Sequence, residues 1–331
     1  MAPDKFAGTL TAVAAADAIA QGWRRRVPEA ICDLAPLADG GPGFVRTMHA
    51  ALGGEVRECP TTGPTGDPLT AEWLWTTDTA YVEAAEAAGL HLTAEPRDAL
   101  VAASAGLAPV LAAAAESGVN SVVVGVGGTG STDGGRDLVR SLRPWPPAVE
   151  LVVATDVDNP LLGPEGAAAV FGPQKGADAA QVDQLEERLK SWAAECGVDP
   201  SLPGAGAGGG LGYGLMALGA RRVSGAQVVL DAVLSAERLA AADIVVTGEG
   251  SFDFQSLRGK LISAVAGRAQ GAGRPCLVLA GQVSVGRREA AAAGIEACYS
   301  MADSFGPAEA MANAEARLAD LAAEVAGSWS R

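Results

Sequence analysis

The chain has 331 residues, more than a single hydrophobic core usually supports, so two domains are expected. Apolar residues make up 49% of the chain and charged residues 19%, a globular composition that excludes a disordered protein. The formal net charge of −15 repels polyanions, so nucleic acid is excluded as an expected partner.

The numbers and spacing of cysteine and histidine limit the kinds of metal and catalytic site that the chain can form. The five cysteines are scattered and form no C-x-x-C pair, so neither a disulfide framework nor a zinc site is expected. Only His49 and His91 are available for a histidine-based metal site or catalytic triad. Catalysis is therefore expected to use Asp, Glu, Lys and glycine. Without a membrane-length apolar run or a leader pattern, we expect a cytoplasmic protein with no membrane partner.

Short β-branched runs that lead into Gly- or Asp-rich loops and then into Ala-rich helices recur along the chain. The predicted strands are 121–124, 151–154, 243–246 and 276–279, and the predicted helices are 11–26, 107–117, 179–196, 263–270 and 308–325. This order predicts parallel α/β sheets, whose ligands bind at the carboxyl ends of the strands. The strongest breaks in composition, 62–68 and 204–214, are candidate crossings between domains.

Asp39 is the first candidate site residue along the chain. It precedes the pair Gly40 and Gly41 at an expected strand end. Asp-Gly-Gly is also a common turn, so the residues alone leave a functional and a structural interpretation open.

A glycine-rich loop at 124–135 follows the first predicted strand directly. Glycines let backbone N–H groups approach an anion, and hydroxyls add donors, so the loop is typical of a phosphate site; a merely tight turn is the alternative. The candidate phosphate-binding residues are Gly127, Gly128, Thr129, Ser131, Thr132, Asp133 and Gly134. The loop matches G-x-G-x-x-G formally, but no acidic residue stands at the ribose-binding distance of a dinucleotide fold, and the chain has no Walker A motif.

Two further groups follow the next predicted strand. Asp156 and Asp158 are candidate Mg²⁺ ligands, since paired carboxylates at a strand end suit a hard cation, although the same residues are ordinary turn formers. Lys175 stands alone in a Gly- and Pro-containing segment, a position that favours a phosphate or carboxylate contact over a solvated face.

The loop after the predicted strand 243–246 contains Glu249, Asp253 and Lys260. One strand-to-helix loop thus supplies a candidate base and a cation for charge on a transferred phosphoryl group, which is most of what phosphoryl transfer asks of a protein. A surface turn with unrelated charges is the alternative interpretation.

Taken in order, these motifs resemble the bacterial glycerate kinases of the glycerate 2-kinase type, and the resemblance runs from Ala2 to the last predicted helix. The matching motifs are Ala-Pro-Asp-Lys-Phe at 2–6, Ala-Asp-Gly-Gly at 38–41, the glycines and Asp133 of 127–135, Asp-Val-Asp-Asn-Pro-Leu at 156–161, Phe-Gly-Pro-Gln-Lys-Gly-Ala at 171–177, Pro-Gly-Ala-Gly at 203–206, and Gly-Glu-Gly at 248–250 with Asp253, Gln255, Gly259 and Lys260. Seven ordered matches make the resemblance specific.

The resemblance implies two α/β domains with the active site in the cleft between them. A discontinuous Rossmann-like domain would comprise 1–62 with 212–331, and an inserted flavodoxin-like domain would comprise 63–211. It also implies ATP with Mg²⁺ as the phosphoryl donor and D-glycerate as the acceptor, giving 2-phosphoglycerate.

On this basis we expect the glycine loop and Lys175 to hold the ATP phosphates, with Mg²⁺ near Asp156 or Asp158. Asp253 would accept the proton of the attacking hydroxyl, and Lys260 would neutralise developing charge. Asp39 is the second candidate for base or metal ligand. The substrate carboxylate needs a cation, for which Lys5, Arg258 and other residues are candidates. A homodimer is one option for the oligomeric state.

Two alternatives stay open at this point. The chain could phosphorylate another small hydroxy acid, because the nucleotide machinery can persist while the acceptor pocket changes. It could also be a catalytically dead nucleotide- or acid-binding relative. That second alternative is motivated by the lack of a full strand before Ala2, by Ala7 and Pro42 where charged residues are usual, and by the short segment 136–150.

Overall fold

The computed structural model describes residues 1–6, 8–254, 256–257 and 261–329. Its strands in chain order are β1 (Glu55–Thr62), β2 (Pro68–Trp75), β3 (Thr79–Glu83), β4 (Ser121–Gly125), β5 (Glu150–Ala154), β6 (Arg221–Val223), β7 (Val245–Thr247), β8 (Ser251–Phe252), β9 (Cys276–Ala280), β10 (Gln282–Val283) and β11 (Ala297–Ser300).

The α-helices are α1 (Ala12–Arg26), α2 (Phe44–Leu52), α3 (Ala85–Ala88), α4 (Leu107–Ala115), α5 (Arg136–Leu142), α6 (Ala167–Phe171), α7 (Ala179–Cys196), α8 (Leu211–Ala217), α9 (Gly225–Val233), α10 (Ala236–Ala241), α11 (Leu261–Gly271), α12 (Arg287–Ala292), α13 (Met301–Phe305), α14 (Pro307–Ala312) and α15 (Ala314–Trp329). Within the described ranges, none of these helices combines the length and the apolar character needed to span a bilayer. With eleven strands and fifteen α-helices in the described residues, the chain is a mixed α/β protein.

The fold divides into two compact units. One comprises Met1–Ala38 with Val229–Arg331, and the other comprises Asp39–Val228. Both boundaries differ from the predicted domains 1–62 with 212–331 and 63–211. The predicted break at 62/63 falls in the turn of a hairpin, because β1 pairs with β2 from Glu55 opposite Trp75 to Thr62 opposite Pro68. That the two units are a Rossmann-like and a flavodoxin-like domain stays a prediction.

The unit Asp39–Val228 is built on a mixed sheet in the order β1-β2-β3-β4-β5-β6. The pairs β1–β2 and β2–β3 are antiparallel, and β3 to β6 are parallel. Val122, Val124 and Val153 are fully buried, as expected where helices cover both faces of a parallel sheet. The prediction of parallel strands is thus confirmed for β4 and β5, whereas the antiparallel part was not predicted.

Three parallel strands of this sheet end in one register row. Glu83 at the end of β3 lies opposite Gly125 of β4, and Gly125 lies opposite Ala154 of β5. Because parallel strands point the same way, the loops that follow them emerge at one edge of the sheet. This edge carries most of the candidate site residues of the unit.

The other unit contains the parallel sheet β11-β9-β7 and the parallel pair β10-β8. Residues 1–4 run alongside β7: the Ala2 and Asp4 N–H groups donate to the carbonyls of Val246 and Gly248 at 2.7 and 2.8 Å. On the other side of this segment, Ala35 N–H donates to the Met1 carbonyl at 2.8 Å. Residues 1–4 therefore form a short extended segment that lies between β7 and Ala35.

Helices α1 and α15 pack closely in this unit, with Ile19 and Leu318 fully buried in their shared core. Thr11 caps α1, accepting the Ala14 N–H at 3.2 Å. Gly22 lies where α15 comes nearest. A Cβ there would stand inside van der Waals contact of the Ala319 carbonyl and 2.9 Å from the Ala322 Cβ.

We expect Gly22→Ala to lower the free energy of unfolding by about 1–3 kcal/mol, because the added methyl group has to push two helix backbones apart. The matched control is Gly267→Ala in α11, where a Cβ meets nothing within 4 Å. That change should raise stability by up to about 1 kcal/mol through helix propensity. Urea unfolding followed by circular dichroism measures both, and equal stability of the two variants would contradict the packing argument.

Candidate active site

The glycine loop 127–135 leaves β4 and is fixed by backbone pairing. Gly130 N–H donates to the Ala88 carbonyl at 2.7 Å, and Leu90 N–H donates to the Gly128 carbonyl at 2.9 Å. Thr129 is buried, whereas Gly128 is exposed. Backbone hydrogen bonds therefore fix the conformation of the loop. Its position at the carboxyl end of a parallel strand is the one that the sequence predicted.

The hydroxyls of Ser131 and Thr132 are the most informative polar groups of this loop. Ser131 is fully buried and Thr132 is 1% exposed. Within the part of the chain that the structure describes, neither hydroxyl has a hydrogen-bond partner. Buried hydroxyls are nearly always bonded in folded proteins, so these two can donate to or accept from a ligand oxygen.

Asp133 has a different role in the fold. Its Oδ2 accepts both the N–H and the hydroxyl of Ser104, at 2.9 and 2.8 Å. Its Oδ1 accepts the Gly135 N–H at 3.4 Å. The carboxylate thus ties the glycine loop to the segment before α4, and it holds a negative charge near Lys175.

Lys175 lies behind the glycine loop, in a 3₁₀ turn that follows α6. Its side chain is buried, and Nζ donates to the Ser131 carbonyl. Burial lowers the pKa of this amine to about 7, while the nearby Asp133 carboxylate acts in the opposite direction. Near neutral pH the amine can therefore change its charge in response to an anion in the loop.

A second glycine-rich segment, 208–210, backs the first. All three glycines have a positive φ. A Cβ on Gly209 would stand inside contact distance of the Ser131 carbonyl and 2.6 Å from Lys175 Nζ. Gly134 N–H donates to the Gly209 carbonyl at 3.2 Å. Sequence reasoning treated 204–214 as a domain crossing and missed this contact, because glycine composition alone does not identify a spatial partner.

The loop 39–43, called the Asp39 loop below, packs on the front of the glycine loop. Asp39 Oδ1 accepts the Gly41 N–H at 3.1 Å, and Gly127 N–H donates to the Gly40 carbonyl at 3.1 Å. A Cβ on Gly127 would come within 2.6 Å of Gly41 Cα. The structure therefore brings Asp39 and the glycine loop to the same edge of the sheet.

Glu83 joins these residues, and sequence reasoning missed it because no motif surrounds it. It is 4% exposed, and its Oε2 accepts the N–H groups of Gly43 and Val45 at 3.0 and 3.4 Å. Burial, followed by the nearby Glu86, raises the pKa of the Glu83 carboxyl to about 7, against the effect of its backbone hydrogen bonds.

Asp156 and Asp158 follow β5 and bind different protein partners. Asp156 accepts the Ser224 hydroxyl at 2.5 Å and the Ala226 N–H at 2.9 Å, which caps α9. Asp158 is mostly exposed and pairs with Arg222 at 2.5 Å. In the described ranges no group of three or more His, Cys, Asp or Glu side chains forms a metal cage. A cation here would thus need further ligands from substrate or water.

Glu249 and Asp253 belong to the other unit. Glu249 is partly buried in the turn after β7, and its carbonyl accepts the Gly281 N–H at 3.1 Å. Asp253 follows β8; its Oδ1 accepts the Ser256 N–H at 3.2 Å, and its own N–H donates to the Ser256 hydroxyl at 3.3 Å. Lys260 lies outside the described residues. The roles expected for these three side chains stay predictions.

Comparison with known families gives one family over nearly the whole chain. The model of the glycerate kinase family matches residues 1–143 and 139–330. A glycerate kinase of Halalkalibacterium halodurans is 37% identical over 373 residues, covering 100% of this chain and 98% of the relative. A glycerate 2-kinase of Escherichia coli K12 is 36% identical over 345 residues, covering 92% and 91%.

The likeness extends to structure and to relatives of unassigned function. A crystal structure of a Salmonella typhimurium LT2 protein, provisionally named glycerate kinase 2, superimposes with a TM-score of 0.80 at 32% identity. The match covers 99% of this chain and 96% of that one. An uncharacterized Mycobacterium bovis protein is 44% identical over 344 residues, covering 98% and 90%.

We expect Gly209→Ala to destabilise the protein more than Gly163→Ala does. Both glycines have a positive φ, so both substitutions strain the backbone, but a Cβ at Gly163 meets nothing within 4 Å. The clash with the glycine loop should cost Gly209→Ala about 1–3 kcal/mol more, which is the usual cost of overpacking. Urea unfolding measures the difference, and equal losses would show that 208–210 does not support the loop.

Proposed function

The chain belongs to the glycerate kinase family, and we propose that it transfers the γ-phosphoryl group of ATP to the 2-hydroxyl of D-glycerate, giving 2-phosphoglycerate. One observation carries the proposal: a glycine loop with two buried, unbonded hydroxyls stands at the carboxyl end of a parallel strand, inside a family match that spans nearly all of the chain. The chain is thus a kinase, and the donor, the acceptor and the product are the proposed parts.

The glycine loop is proposed to hold the phosphates. Its backbone N–H groups and the hydroxyls of Thr129, Ser131 and Thr132 are donors suited to phosphate oxygens. Asp133 fixes the loop from the side through Ser104. Lys175 is proposed to act from behind, where its buried amine places a positive charge close to bound phosphate without competing for the loop's donors.

We propose that Mg²⁺ binds at this edge of the sheet only together with the nucleotide, whose phosphates would supply part of its ligands. Asp156 is the better candidate ligand of the two, since it is partly buried at a strand end, whereas Asp158 is exposed and paired with Arg222. When bound, the ion would neutralise charge on the phosphate oxygens. A site of one or two carboxylates, phosphates and water is the usual form for this cation.

The acceptor chemistry is proposed to use the loop after β7. Asp253 would accept the proton of the glycerate 2-hydroxyl as the oxygen attacks the γ-phosphorus, and Lys260 and Glu249 would shape the charge around it. Asp39 remains the second candidate for the base or a metal ligand. A cytoplasmic location, a homodimer and the exclusion of nucleic acid likewise stay predictions.

Purified protein should release ADP from ATP and Mg²⁺ only when D-glycerate is present, and phosphorus NMR should identify 2-phosphoglycerate. No turnover from folded protein would contradict the proposal. A panel of small hydroxy acids then tests for another acceptor, and thermal stabilisation by ATP without turnover would identify a dead binder.

We expect Asp253→Asn to lower kcat by about 10²- to 10⁴-fold, the usual contribution of a general base. Glu289→Gln in α12, a carboxylate to which no role is assigned, is the control for charge loss in the same unit. Both variants should have the melting temperature of the wild type. Wild-type turnover in Asp253→Asn would remove Asp253 from the mechanism.

ATP binding should take up protons through Lys175. At about pH 8 the amine is mostly neutral in the free protein, because its pKa is about 7. Phosphate charge favours the protonated form and raises that pKa, so binding should take up close to one proton more, about 0.5–1, than it does in Lys175→Met. Calorimetry in buffers of different ionisation enthalpy measures the uptake. The excess should vanish at about pH 5.5, where the free amine is already protonated, and an excess that is absent at both pH values would exclude Lys175 from the phosphate site.

A further inference from the structure

Helix α2 begins without a cap of its own. Its N-cap residue is Gly43, with φ of 97° and no side chain to accept the first N–H groups. The acceptor comes from another element: Glu83, the last residue of β3, accepts the N–H groups of Gly43 and Val45. A side-chain oxygen from a neighbouring strand thus does what a Ser or Asp at the N-cap usually does.

The same hydrogen bond fixes the end of the Asp39 loop, because Gly43 is its last residue. The loop is already confined on its inner side. A Cβ on Gly125 would stand inside contact distance of the Gly40 carbonyl, and one on Gly128 would come within 2.6 Å of the Pro42 ring. Glu83 therefore holds the outer end of a loop whose inner side presses on the glycine loop.

Capping helix α2 does not by itself explain why Glu83 is buried, because burying a carboxylate costs free energy. Glu83 is 4% exposed, and a buried carboxylate is disfavoured unless it is paired. With a pKa of about 7, Glu83 is near half protonation at neutral pH. Both the ionised and the protonated carboxyl group have an oxygen that can accept the Gly43 N–H. Protonation of Glu83 therefore removes its charge but not its role as an acceptor.

We propose that Glu83 is a positioning residue for phosphoryl transfer, acting through the Gly43 N–H to hold the Asp39 loop against the glycine loop. The inference rests on the proposed function, since it gives Asp39 a fixed place relative to the loop that is proposed to bind the phosphates. Glu83 itself touches no reacting atom. It acts by fixing the position of Asp39 through the Asp39 loop.

The test compares three substitutions at Glu83. Glu83→Met keeps the volume but removes the acceptor, Glu83→Asp keeps a carboxylate but shortens its reach, and Glu83→Gln keeps an acceptor oxygen at the same reach. We expect Met and Asp to lower kcat by about 10- to 100-fold, the cost of a misplaced catalytic group, with KM for ATP nearly unchanged. Gln should stay near wild-type kcat. If Glu83→Met does not fold, Glu83→Asp carries the comparison.

The matched control is Glu86→Met. Glu86 is a nearby carboxylate whose Oε2 accepts the backbone N–H of Glu72 on β2 at 3.3 Å, outside the Asp39 loop. Its loss should leave kcat unchanged. Normal kcat in folded Glu83→Met or Glu83→Asp would overturn the proposal, and so would an equal loss in Glu83→Gln, because the amide keeps the acceptor.

Hydrogen exchange separates this inference from the proposed function. In Glu83→Met the amides of 41–45 should exchange faster, while those of β4 keep the wild-type rate. Unchanged exchange at 41–45 would overturn the positioning role whatever the substrate is. Absence of glycerate-dependent turnover in the wild type would instead count against the proposed function alone.

Discussion

The candidate site depends on one steric constraint, the close approach of the Asp39 loop to the glycine loop at the row where β3, β4 and β5 end. Glu83, Gly125 and Ala154 lie side by side in that row. The Asp39 loop crosses it at a distance that leaves no room for a Cβ on Gly125 or Gly127. Side chains at these positions would separate the loops, so glycine is required here for space, independently of backbone φ.

Polar burial is concentrated at the same edge. Ser131, Thr132, Lys175 and Glu83 are all buried there, and burial moves the pKa values of the lysine and the glutamate toward neutrality from opposite sides. A core built for stability alone would replace such groups with apolar ones. Perturbed titratable groups gathered beside a glycine loop are typical of functional sites, which agrees with the family to which the chain belongs.

The sequence predicts those parts of the fold whose signals are local. Helix α7 is predicted with its observed bounds, because Asp178 and Gln181 form a capping box at its start and Gly197 ends it. The predicted helix 308–325 is instead broken at Asn313 into α14 and α15. The hairpin β1–β2 was missed because Thr62-Gly-Pro-Thr-Gly-Asp-Pro68, which is its turn, was interpreted as a domain break. Contacts made through space, such as Gly209 on Ser131 or Glu83 on Gly43, have no local signal at all.

The packing at this edge also bears on acceptor specificity. The glycine loop packs against the Asp39 loop in front and against 208–210 behind, so a Cβ added at Gly127, Gly128 or Gly209 would clash with a neighbouring segment. If this assembly binds the nucleotide phosphates, it has little freedom to vary. The Asp253 turn belongs to the other unit, where Phe252 and Ser256 are buried and Phe254 is more than half exposed, so of these three side chains Phe254 is the one that can change without repacking its surroundings. Under the proposed function, a change of acceptor acid would therefore arise at Phe254 sooner than in the glycine loop.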